Sequence, residues 1–398
     1  MRLRTDPAEH SPTALAFILV VSLFFLWGFS YGLLDVLNKH FQDVLHVGKR
    51  QSSLLQAAYF GAYFLMALPA GWIIRRSGYR SGVLVGLVLF AAGACMFYPA
   101  QDFTASLAAL FVLACGLTFL ETAANPFMTV LGPPQTAAFR LNLAQGFNGV
   151  GSVMGPLIGG WFFFGNGNMT GGMDQVRGVY LAIAVVVLLI AFVFTRIRLP
   201  ETLEETTASA EEWSLPYYRQ PVFRYAVIAQ FFYVAAQVGI AAFFINYCTS
   251  DEIGISKASA AYCLSVAMVL FTAGRFIGSF AMKRWAAGKL LLICALVNVF
   301  LCAWIAAVPH PVSVLLLVAV FFFESIMFPT IFAIGIRGLG HQTKNASSVL
   351  VMSIVGGAIV PYAMGALAEM KSVAFAFVIP VLCFLVVAGF AKASINKY

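Results

Sequence analysis

Stretches of about twenty apolar residues, separated by short polar connections, recur along the chain from residue 14 to residue 393. A bilayer core about 30 Å thick takes about 20 residues of helix to cross, so each stretch of that length predicts one membrane-spanning helix. The pattern predicts twelve spans, over residues 14–38, 51–74, 81–100, 104–130, 140–164, 178–198, 221–248, 257–281, 288–308, 311–335, 344–369 and 373–393. The longest polar stretch, Leu199 to Pro221, carries Glu201, Glu204, Glu205, Glu211 and Glu212 with no apolar period and reads as a linker. The expected organisation is an all-α polytopic membrane protein: an N-terminal six-helix bundle over 1–198, a cytoplasmic linker over 199–220 and a C-terminal six-helix bundle over 221–398.

The two halves repeat one design. Glu121 lies inside the apolar stretch Phe111 to Met128, and Glu324 recurs inside Leu315 to Ile334; each is followed five residues on by a proline, Pro126 and Pro329. The turn Gly71 to Arg80 (GWIIRRSGYR) follows span two, and Gly278 to Lys289 (GSFAMKRWAAGK) follows span eight. Gly151, Gly155 and Gly159 keep a four-residue rhythm in span five, repeated by Gly357, Pro361 and Gly365 in span eleven. Small residues so spaced let helix backbones approach closely. Parallel tandem halves of this kind hold a substrate site at their interface and rock about it.

A carboxylate within hydrocarbon costs about 2.5 to 3.5 kcal/mol on insertion scales, so Glu121 and Glu324 are expected to face a bundle interior or a wet cavity. Asp35, in the outer part of span one, reads either as an interfacial residue reaching water or as a proton site; burial disfavours the charged form of such a group and poises it to load and release a proton. Other polar side chains fall at helical spacing: Glu121 and Asn125 on span four, Gln145 and Asn148 on span five, and Gln230, Tyr233 and Gln237 on span seven. Amides beside the aromatics Trp27, Tyr31, Tyr59 and Tyr63 suit a sugar, whose hydroxyls need donors and acceptors while its C–H faces pack on rings. Taken singly, each amide could equally bond a neighbouring helix.

Composition narrows the classes. The chain is 61% hydrophobic and 10% charged, with 38 Phe, a balance foreign to soluble globules. The net charge of +8 does not mark a nucleic-acid binder, because the basic residues are scattered through short loops. Of the 24 Lys and Arg, 17 fall at the N-terminus, even-numbered connections and C-terminus, 6 on the other side, and Arg275 inside a span. Both termini are therefore expected in the cytoplasm, in an inner membrane, with the first span acting as its own signal. The seven cysteines sit within spans or at their ends without CxxC spacing, and neither disulfide nor metal is expected. With no P-loop, HExxH or GxSxG, the chain is not expected to be an enzyme or to need a cofactor.

Longer motifs carry a resemblance. Gly116 to Gly132 (GLTFLETAANPFMTVLG), Arg140 to Asn148 (RLNLAQGFN), Leu23 to Phe41 with its LFFLWG opening, Ala229 to Gln237 (AQFFYVAAQ), Gly274 to Gly278 (GRFIG) and Phe328 to Gly340 (FPTIFAIGIRGLG) resemble the fucose permease branch of the major facilitator superfamily. Phe323 to Phe332 (FESIMFPTIF) is also like the branch's glucose and galactose carriers. The resemblance implies proton-coupled symport of L-fucose or a related hexose by alternating access. Asp35 matches the family's proton-linked aspartate, Glu121 its glutamate in the sugar cavity, and Gln145 and Asn148 its span-five amides. Tyr31–Gly32 stands where fucose carriers have paired asparagines, Glu324 is an additional acid, and Arg75 occupies the acidic position of the superfamily's loop motif. The expected partners are a monosaccharide, a proton or sodium ion and the lipid bilayer, with the protein acting as a monomer. A sodium-coupled or facilitative glucose/galactose carrier is the alternative within transport. A non-transporting sugar sensor fits less well, because only short tails flank the spans.

Overall fold

The computed structural model describes residues 11–44, 54–164, 173–196 and 216–395. Among these, helices and turns account for all regular structure. Ten segments are long and apolar enough to cross a membrane. Leu54–Met96 holds two crossings, spans two and three, because Gly78 interrupts it at φ 80°, ψ 169°. That left-handed φ is open to glycine at no steric cost, so the chain reverses there without a longer loop. Ala137–Phe164 is span five, whose Asn142, Gln145, Asn148 and glycines dilute its hydropathy. The crossings thus number twelve. The others are Ser11–Val44 (span one), Phe103–Val130 (four), Met173–Arg196 (six), Pro221–Cys248 (seven), Lys257–Ala281 (eight) and Ala287–Ala307 (nine), followed by three that are broken.

Spans ten and eleven, expected as single helices, are each two. Span ten runs Ser313–Glu324 and Met327–Gly335, and span eleven runs Thr343–Met352 and Gly356–Met370 across the turn Ser353–Val355. Span twelve likewise begins with the short Val373–Ala376 before Val378–Ile395. In span ten the cause is Pro329: it has no N–H for the carbonyl four residues back, and its ring crowds that carbonyl. The carbonyl in question is that of Ser325, which lies at the break.

Within each half, glycine sets how closely helices approach. The Cα of Gly28 lies against the Asn148 carbonyl and that of Gly32 against the Ser152 carbonyl, while Gly151 and Gly155 face the carbonyls of Phe25 and Phe29. Spans one and five therefore touch backbone to backbone. In the second half Gly356 meets the Phe231 carbonyl, and Gly357 meets Val234 and Val238, so spans seven and eleven repeat the contact. Lipid tails are as apolar as the helices, so close packing of this kind, rather than exclusion from water, holds each bundle together.

The halves meet mainly near the cavity and toward the face that carries the linker. Gly71 packs on Ser348, Gly146 on Phe276 and Gly149 on Thr272. The Asn142 amide donates to the Thr330 hydroxyl at 3.1 Å. The Lys344 ammonium lies 5.2 Å from the Tyr79 ring centre, and that of Lys283 lies 4.7 Å from Phe139. Arg80 donates to the carbonyls of Phe194 and Thr195, tying the turn after span two to the end of span six.

Gly28→Ala is expected to lower the stability of the detergent-purified protein by about 1 to 3 kcal/mol, because its new methyl overlaps main chain that cannot yield. Gly178→Ala, where the space is open, should leave the melting temperature unchanged or slightly raised. Equal melting temperatures for Gly28→Ala and the parent would refute the backbone contact.

Candidate functional site

The break in span ten and the glycine contact of spans one and five converge on one cavity between the halves. It encloses about 160 Å³. The first half contributes Trp27, Tyr31, Tyr59, Tyr63, Glu121, Gln145 and Asn148; the second contributes Gln237, Phe271, Arg275, Phe321, Glu324 and Phe328. Polar groups and rings thus stand on both sides of a space large enough to hold water-sized molecules, the mixed lining expected of a small-molecule site.

A chain of hydrogen bonds runs through the buried polar groups. The Asn125 amide donates to Glu121 Oε1 at 3.3 Å, and Gln145 Nε2 donates to Asn125 Oδ1 at 3.2 Å. Arg275 Nη1 then donates to the Gln145 carbonyl at 2.6 Å, to Gln145 Oε1 at 3.0 Å and to Asn148 Oδ1 at 3.1 Å. Asn148 Nδ2 donates to the Phe24 carbonyl at 3.1 Å, at the span one contact. Arg275 Nε reaches the Ser325 carbonyl at 3.3 Å, the one that Pro329 leaves without an N–H. The guanidinium carbon also lies 4.6 Å from the Phe271 ring centre. One side chain therefore joins span eight, span five of the other half and the break in span ten.

Aromatic side chains line the wall beside Glu121. Tyr31 and Tyr59 ring centres are 6.0 Å apart, those of Tyr59 and Tyr63 5.2 Å, and the last two hydroxyls 3.4 Å. Glu121 Oε2 is buried and makes no close hydrogen bond among the described residues, with the Tyr63 hydroxyl interacting with the same carboxyl. It remains an acceptor for a bound hydroxyl.

Nine of the residues predicted from the sequence border the cavity: Trp27, Tyr31, Tyr59, Tyr63, Glu121, Gln145, Asn148, Gln237 and Glu324. Asn125 stands one layer behind, orienting Glu121 and Gln145 rather than facing the space. Gln230 and Tyr233 are fully buried and absent from the lining, in contrast to the expectation that they share a face with Gln237. They do share its direction, but Tyr233 stands four residues and Gln230 seven residues before Gln237, helix rises of about 6 and 10.5 Å, so they lie at another depth. There Tyr233 packs toward Phe328, ring centres 6.4 Å apart. Asp35 falls in span one, one turn beyond Tyr31; its side chain is outside the described residues. Arg275 was not among the predicted site residues. Its signal was lying away from the ends of a span, where every other Lys and Arg falls in a connection or near a span's end.

The Major Facilitator Superfamily profile matches residues 15–361. A glucose/galactose transporter of Brucella abortus biovar 1 (strain 9-941) is 36% identical over 395 residues, covering 97% of this chain and 95% of that protein. An L-fucose-proton symporter of Escherichia coli (strain K12) is 35% identical over 414 residues, covering 97% and 94%. The solved structure of the transporter FucP in the outward conformation superposes with a TM-score of 0.88 at 35% identity, over 96% of this chain and 99% of that one.

If Arg275 holds the halves together, its removal should loosen the linker-side closure. Hydrogen bonds from a charged donor are worth about 1.5 to 3 kcal/mol each, so losing one shifts the closed–open balance about tenfold. The reporter is a cysteine at Ser348, buried against Gly71, in a background lacking the native cysteines. Maleimide labelling there should accelerate about tenfold in Arg275→Gln. An unchanged rate would assign closure to other contacts.

Proposed function

Since this chain belongs to the Major Facilitator Superfamily, we propose that it is a secondary active sugar transporter that carries a hexose together with a proton by alternating access. The observation that carries the reading is the cavity between the halves, where a buried carboxylate, three amides and a wall of aromatic rings meet. Such a lining matches a monosaccharide, which offers hydroxyls at its edges and C–H bonds on its faces. Relatives named for L-fucose–proton symport and for glucose/galactose transport, at 35% and 36% identity, support the same substrate class.

In this reading Glu121, held by Asn125, accepts hydrogen bonds from sugar hydroxyls, with Gln145, Asn148 and Gln237 as further polar contacts. Trp27, Tyr31 and Tyr59 pack on the sugar's apolar face. Asp35 exchanges the coupled proton, because protonation removes a charge and lets the loaded carrier reorient. The protein acts as a monomer in the inner membrane with both termini in the cytoplasm, as the bias of 17 basic residues against 6 supports. The linker-side contacts between the halves then close the cytoplasmic side.

Proteoliposomes with an imposed pH gradient, inside alkaline, should accumulate at least one of L-fucose, D-glucose, D-galactose and D-mannose. Accumulation that ignores the pH gradient but follows a sodium gradient would replace proton by sodium coupling. Asp35→Asn is expected to abolish accumulation while leaving counterflow exchange. Glu121→Gln should instead weaken sugar binding about ten- to a hundred-fold, the loss of a charged acceptor in a dry site. Identical losses in both variants, in both assays, would refute the division of roles.

A further inference from the structure

Glu324 is the second acid inside the membrane and is not accounted for by the polar chain that holds Glu121. It ends the first half of span ten, is fully buried, and neither carboxyl oxygen has a hydrogen-bond partner among the described residues. An ionised carboxylate so placed would be uncompensated. The charged or titratable groups around it come from every neighbouring element. Arg275 on span eight is near, Tyr233 approaches from span seven, and Cys302 from span nine. Glu121, on span four, lines the same cavity and also interacts with Arg275. Only Arg275 is a cation, and in this structure its hydrogen bonds go to Gln145, Asn148 and the Ser325 carbonyl.

We infer that Glu324 is a second proton-binding site, which Arg275 discharges when the halves part on the linker side. While the halves are closed there, span five holds the guanidinium and Glu324 carries a proton taken from the cavity. Parting withdraws Gln145 and Asn148 from Arg275, whose remaining hydrogen bond goes to the Ser325 carbonyl, next in sequence to Glu324. The guanidinium, keeping its own charge, then pairs with the carboxylate, and the proton leaves Glu324 for the water that enters on the linker side. Reclosing returns Arg275 to span five, and Glu324 is reloaded from the opposite side. One proton moves per cycle in addition to the one exchanged at Asp35. The same guanidinium thus acts as latch and as proton displacer. Gly274, beside Arg275, packs against Ser325 and the Phe322 carbonyl, which fixes span eight to the break.

This inference rests on the symport reading, and its test separates the two. Wild type and Glu324→Gln are reconstituted, the membrane potential is clamped at zero, and sugar accumulation is measured over a series of pH gradients. Wild type should accumulate with the square of the proton ratio and Glu324→Gln with its first power. The same exponent in both overturns the second site. No dependence on the proton ratio in wild type overturns the symport reading itself. An independent readout needs no transport: the infrared carbonyl band of a protonated carboxylic acid in the sugar-free detergent-purified protein should diminish in Glu324→Gln, and an unchanged band counts against the site. If Glu324→Gln does not fold, Arg275→Gln, which keeps the acid but not its displacer, must also give the first power; the square there refutes the mechanism.

Discussion

A guanidinium enclosed by apolar helices cannot lose its charge and so has to be hydrogen-bonded wherever the structure puts it. Arg275 meets that demand with the Gln145 and Asn148 side chains and the Gln145 carbonyl from the opposite half, and with the Ser325 carbonyl from the broken span ten. Each partner is thereby held in place. Gln145 is aligned to donate to Asn125, and Asn125 in turn to donate to Glu121. The carboxylate facing the cavity owes its orientation to a charge on another bundle. A single guanidinium consequently links the site's polarity to the separation of the halves.

Within and between the halves, helices are held in different ways. Spans one and five, and spans seven and eleven, approach through glycine with main chain against main chain, a contact that tolerates neither sliding nor an added methyl group. The halves meet instead through side chains, among them Asn142 on Thr330, Lys344 over Tyr79 and Lys283 over Phe139. Polar and cation–π contacts of that size can be exchanged for water when the halves separate, at modest cost. Rigid bundles joined by a separable seam are what rocking about a central site requires.

The seam also explains why Asn125, Gln230 and Tyr233 stand away from the cavity. Helical spacing describes direction, and all three lie in the same direction as residues that do line it. Depth is set by where the seam closes. On the linker side, Phe328 and the second half of span ten cover the level of Tyr233, so that residue is packed rather than exposed to solute.

What could be read from the sequence was whatever depends on local chemistry. The spans follow from runs of apolar residues, the repeat from Glu121 with Pro126 and Glu324 with Pro329, and the polar interior from the cost of placing acids in hydrocarbon. Glycine rhythm likewise announced that spans five and eleven pack closely, but not against which helix. What required the tertiary structure was every question about which helix answers another. Pro126 leaves span four continuous, whereas Pro329 breaks span ten at Ser325, and the proline itself is the same in both. The difference lies in Arg275, which takes up the freed Ser325 carbonyl. The partners of Arg275 and the depth of Gln230 depend likewise on the rotation and height of helices far apart in the chain. Those are settled by backbone packing across the bundle, and no single span encodes them.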